Sequence, residues 1–220
     1  MSPHGRLPLT VDGPAGGRPG PCAVLPSGVL SEAAARWLLV LHTALGVAAV
    51  GAVTHLVLWV RRYVRGKYGL RRAVRRFAWL SLALHAGAFV AGNAMYPTYR
   101  IEVRAAYLEN AGAVAAERAA RQHEVERIAA REGAAAPALE SSTELVSRAA
   151  KAARWFDVKE HWVALGLLAS LGLVLVLALW DPRTGAPAIA PAALGLSVVI
   201  AGTVWLGAII GVLTASWRAV

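Results

Sequence analysis

The chain has 220 residues, of which 57% are hydrophobic and only 16% charged, with a mean hydropathy of +0.50. Soluble domains carry about 25% charged residues, so the composition argues against an ordinary soluble domain. A formal net charge of +10 invites a nucleic-acid reading, but its placement along the chain excludes that.

Residues 1–34 are rich in proline and glycine and read as a disordered tail. They hold no early apolar core, so no cleavable signal peptide is expected. Cys22 is the single cysteine; it permits no intrachain disulfide and no cysteine-based metal cage, and is expected to be an inert thiol. His4 lies in the same tail.

Residues 35–220 read as a membrane domain. Four apolar runs, Trp37–Val60, Phe77–Tyr96, His161–Trp180 and Ala192–Trp217, each reach the roughly 20 residues that a helix needs to cross a bilayer. None has Asp, Glu, Lys or Arg inside its apolar body, and in lipid only a helix satisfies the backbone of an isolated run. Six of the eight tryptophans (Trp37, Trp59, Trp79, Trp162, Trp180 and Trp217) fall at span ends, where indole rings favour the headgroup level; Trp205 falls mid-span. The expected fold is all-α: a four-span transmembrane helix bundle with an extracytoplasmic helical hairpin between spans 2 and 3.

Orientation follows from charge. The loop Arg61–Arg76 carries eight basic residues and no acid, whereas residues 97–160 carry ten basic and ten acidic residues. Basic residues concentrated in one short loop mark the cytoplasmic side. Residues 61–76 and 181–191 are therefore expected in the cytoplasm, with both termini and residues 97–160 outside, in a bacterial inner (plasma) membrane. Anionic lipid is the expected contact of the Arg61–Arg76 loop; nucleic acid is not an expected partner.

In the 97–160 segment, residues 98–132 are rich in Ala, Glu and Arg, which favour helix. Glu117 with Arg121 and Glu124 with Arg127 have facing helical spacing. Gly133–Ala138 breaks the run, and Ser141 with Glu144 forms a capping box for a second helix that continues into span 3. Pro97 is expected to kink or interrupt the first arm. The apolar stripe Ile101, Leu108, Val114, Val125 and Ile128 is thin, which leaves room for a protein partner on the 97–160 hairpin. Spans 3–4 do not repeat spans 1–2, which argues against an inverted-repeat transporter.

Intramembrane ionisable residues are the first functional candidates. His55 lies about 10 Å from Arg62 along its helix and His85 about 13 Å from Arg76, which puts the imidazoles at similar depth. His55 continues the small row Ala44, Ala48, Ala52; His85 shares a row with Ser81, Ala88 and Gly92. Small rows allow close helix approach or leave a slot for a flat ligand. Either the two histidines are axial ligands of a b-type haem, or they glue two helices by hydrogen bonds. His42 and His161, both near the outer face, admit a second haem, although His42 and His55 lie about 220° apart on their helix.

The stretch "WFDVKEHW" (155–162) opens span 3 with Asp157, Glu160 and His161 on one face. Three roles are open: a divalent-metal site, a proton or quinone site at the headgroup level, and a latch pairing Asp157 and Glu160 with Arg100 and Arg104. Two functional readings follow. One is a haem-binding electron-transfer subunit linking quinone to a partner protein; the other is a cofactor-free accessory or scaffold subunit of a larger membrane complex. No nucleotide-binding loop, HExxH or nucleophile elbow is present.

Overall fold

The structure, a computed structural model, describes residues 30–183, 185 and 188–216. Cys22, His4 and Trp217 lie outside these residues, as does nearly all of the 1–34 tail. Every regular element among the described residues is helical: α1 (Glu32–Val64), a single 3-10 turn (Tyr68–Leu70), α2 (Arg71–Thr98), a π-helical segment (Tyr99–Leu108), α3 (Ala111–Glu132), α4 (Ser142–Leu179) and α5 (Ile189–Ser216).

The helices overrun the apolar stretches that define them. Ser31 caps α1 by accepting a hydrogen bond from the Ala34 N–H at 3.3 Å, and the helix continues past Arg61 and Arg62 before turning at Gly66, whose φ of 99° suits glycine. Helix α4 is unbroken for 38 residues, about 57 Å at 1.5 Å per residue. That is nearly twice a hydrocarbon core, so its N-terminal half must project beyond one.

Helix α1 packs on α2 and α5, and α4 packs on α5 and α2, which closes a four-helix bundle. Its core runs along Ala49, Val53, Leu56 and Val60 of α1 to Leu173 and Leu177 of α4 and Ile200 of α5. Many large apolar side chains face outward instead, among them Val47 at 69%, Leu168 at 67% and Val212 at 68% exposure. An apolar exterior suits lipid contact, and four helices are long and apolar enough to cross a membrane. Trp180 stands at the end of α4, as the span-end expectation has it, but is buried there, edge-on to Tyr63 at 6.4 Å. Mid-span Trp205 donates its indole N–H to Thr54 Oγ1 at 3.1 Å.

Pro97 does not end α2. The helix passes through it and then widens into ten residues of π-helix. Proline removes one N–H from the ladder, and a wider register is one way to absorb that loss. The helical run expected over 98–132 is broken at Glu109 and Asn110, while its end at Gly133 and the restart at Ser141 fall where the sequence puts them. Asn110 caps α3, and left-handed Gly133 (φ 67°) ends it. Ser141 caps α4 through the Glu144 N–H at 3.3 Å. A second small core of Leu108, Val114, Ala149 and Ala153 joins the π segment, α3 and α4, while Ile101 and Ile128 of the predicted stripe stay exposed. Arg118 donates to the Glu140 carbonyl at 2.9 Å, tying down the stretch between the two helices.

Candidate functional site at the root of the arm

The polar cluster of the fold gathers where the π segment crosses α4. Arg104 donates from Nη1 to Asp157 Oδ1 at 2.6 Å and from Nη2 to Asp157 Oδ2 at 3.2 Å. The fork-to-carboxylate geometry is bidentate, the arrangement in which arginine binds most specifically. A third bond, Arg104 Nε to Glu109 Oε1 at 2.7 Å, depends on the local helix type. Glu109 is five residues on, a spacing that α-helix would place well off the Arg104 face. The π register, marked by the Glu109 N–H bonding the Arg104 carbonyl at 2.8 Å, brings the two together. Two carboxylates around one guanidinium hold its pKa far above the ordinary arginine value, the bond to Asp157 contributing most.

Aromatic packing backs the ion pair. Tyr99 stacks on Phe156 of α4 at 4.1 Å, and Tyr96 lies 6.5 Å from the same ring. Burial in this stack pushes the Tyr99 phenol up to about 12. Lys159, one turn on from Phe156, places its ammonium 5.5 Å over that ring; a cation over an aromatic face is attracted by the ring quadrupole. The same nitrogen lies 3.5 Å from where a Cβ on Gly211 of α5 would stand. Among the described residues it makes no ion pair.

The expected latch therefore forms through Arg104 and Asp157, but without its other half. Arg100 is exposed and Glu160 makes no ion pair with it. Burial, and then the Asp157 charge, raise the Glu160 pKa. The metal reading of Asp157, Glu160 and His161 does not fit the geometry. Arg104 occupies both oxygens of Asp157, and His161 turns outward with Nδ1 donating to the Asp157 carbonyl at 2.8 Å. Among the described residues no three His, Cys, Asp or Glu side chains converge as a metal site.

The histidines expected to share one site are dispersed. His55 is exposed, bonds the Gly51 carbonyl of its own helix at 2.8 Å and stacks 6.3 Å from Phe77. Ala44 and Ala48 of its small row are exposed too. His85 is 3% exposed and faces α4 and α5: a Cβ on Gly166 would lie 2.9 Å from its Cε1 and 2.1 Å from Thr203 Oγ1. The depth match fails because both helices continue past the arginines taken as their boundaries. The chain reverses at residues 65–67, which sets His55 opposite Phe77, eight residues short of His85.

A haem between His55 and His85 does not fit this arrangement, since one ring points outward and the other into a different interface. Nor does the α1–α2 contact leave a slot. A Cβ on Gly87 would stand 3.4 Å from Leu45, and one on Gly92 would stand 3.2 Å from His42. His42 bonds the Ala88 carbonyl at 2.8 Å through Nδ1, the helix-gluing role expected of an intramembrane histidine, while His161 faces away. Among the described residues neither ring nitrogen of His85 meets a partner in hydrogen-bonding geometry, although the Val163 backbone approaches the ring.

Glu109, Phe156 and Lys159 were not singled out from sequence. Glu109 is legible only once the π register is known. Lys159 shares the charged opening of span 3 with Asp157 and Glu160, and nothing in its spacing reveals that its ammonium approaches Gly211 of α5. No protein-family model matches the chain, and neither curated proteins nor solved structures yielded a match.

Proposed function

We propose that the protein is a cofactor-free accessory or scaffold subunit of a larger membrane complex. Its four apolar helices anchor in the bilayer, and the arm formed by the π segment, α3 and the first half of α4 stands on the outer surface to dock a partner protein. The observation that carries this reading is the bidentate Arg104–Asp157 pair. It joins the two roots of the arm, and a fixed arm loses less entropy on docking than a loose one. The concentration of eight basic residues in Arg61–Arg76 against a charge-balanced 97–160 segment supports putting the arm outside and the basic loop in the cytoplasm.

The test is a photo-crosslinking amino acid at Ile128, which is 45% exposed on α3, introduced in native membranes. One adduct of defined mass is expected, lost when Asp157→Asn unlatches the arm. A purified protein with a Soret band and no adduct would overturn the proposal in favour of an electron carrier.

A further inference from the structure

The end of the bundle opposite the arm contains a cavity of about 860 Å3. It lies between the first turns of α2, the Tyr68–Leu70 turn and the connection from α4 to α5. Arg72, Arg75, Arg76 and Trp79 line it from α2; their spacing of three, four and seven residues from Arg72 puts them on one helix face. Arg183 enters from the other hairpin, its guanidinium 5.6 Å from the Tyr68 ring.

The one acid in the lining, Asp181, is already held by Arg71 at 2.9 Å. Among the described residues, four guanidinium groups therefore surround the cavity with no carboxylate left for them. Helix α2 adds to this charge: its first turn has no acidic residue and no side chain caps it. Like charges so gathered repel one another unless an anion sits among them. Planar guanidinium forks match phosphate oxygens in pairs. The rim is apolar and open, with Trp79 at 58% and Leu80 at 47% exposure on the face that continues toward the middle of α2.

We propose that this cavity binds the phosphate-bearing headgroup of an anionic phospholipid, held by Arg72, Arg75, Arg76 and Arg183, with its acyl chains running along Trp79 and Leu80. A basic loop alone attracts anionic lipid diffusely. Arg183, brought from the far hairpin, makes this a discrete site with a defined stoichiometry. The inference rests on the membrane-spanning reading and is independent of the arm and its partner.

Native mass spectrometry of delipidated protein, titrated with phosphatidylglycerol, phosphatidylcholine of the same chains and inorganic phosphate, tests it. One tightly held phosphatidylglycerol is expected, with phosphatidylcholine and free phosphate both far weaker. Each surface basic residue contributes roughly fivefold to such binding, so the Arg72→Gln/Arg75→Gln/Arg183→Gln variant should bind roughly a hundredfold less tightly. Arg131→Gln on the arm should change nothing. Arg183→Lys, which keeps the charge and loses the fork, should show a smaller loss and guards against a triple variant that fails to fold. Equal binding of the two lipids, or undiminished binding by the folded triple variant, overturns the site. Inorganic phosphate held as tightly as phosphatidylglycerol overturns the lipid assignment in favour of a soluble phosphate ligand.

Discussion

Arg104 grips both carboxylate oxygens of Asp157, 53 residues further along the chain, at 2.6 and 3.2 Å. The pair is half wet, since the Asp157 side chain is 40% exposed, so its contribution belongs near the low end for charged hydrogen bonds. A double-mutant cycle with Arg104→Gln and Asp157→Asn, followed by thermal unfolding in detergent, should give a coupling of about 1 kcal/mol. Additive losses would show that the two residues act separately.

Gly166 brings α4 into close contact with α2 and α5. A methyl group there would stand 2.1 Å from Thr203 Oγ1 and 2.9 Å from His85 Cε1, so Gly166→Ala must push helices apart. Overpacking of this kind costs about 1–3 kcal/mol. Adding Thr203→Ala removes the nearer obstacle and should recover part of the loss. Full stability of Gly166→Ala alone would contradict the packing described.

The Tyr99 phenol, raised to about 12 by its burial against Phe156, should ionise after an ordinary tyrosine. A phenol whose folded pKa is raised contributes stability that is complete below its unfolded pKa near 10. That contribution fades as pH climbs through the folded value of about 12. In a spectrophotometric titration near 295 nm, a late component should vanish in Tyr99→Phe and move to lower pH in Phe156→Ala. A titration unaltered by Tyr99→Phe would contradict the assignment.

The orientation is open to direct labelling. In a Cys22→Ser background, Thr143→Cys on the arm should react with a membrane-impermeant maleimide from outside, and Lys67→Cys in the basic loop only after the membrane is opened. The reverse pattern would invert the topology.

Much of this architecture was legible in the sequence, because lipid simplifies the problem. An apolar run of bilayer length has one available secondary structure, and the caps at Ser141 and Gly133 depend on local chemistry. Half of the latch was legible for the same reason: Arg104 and Asp157 flank neighbouring span ends and carry opposite charge. Where reading failed, the answer depended on rotation and register. His55 and His85 looked equally deep because Arg62 and Arg76 stood in for the membrane edge, yet α1 stays helical to Val64 and α2 starts at Arg71. The Arg104–Glu109 bond was hidden because its spacing is wrong for the helix type that composition favours. Arg100 keeps a four-residue spacing from Arg104 that leaves both near one face, yet it is exposed and makes no ion pair among the described residues.

The latched arm is tested most directly by the distance between it and the bundle. Spin labels at His123 on α3 and Val90 on α2, both exposed, in the Cys22→Ser background, report that distance by pulsed electron paramagnetic resonance. A single narrow distribution is expected for the intact chain, broadening markedly in Asp157→Asn. A broad distribution in the intact chain, or an equally narrow one in the variant, would mean that Arg104 and Asp157 do not hold the arm.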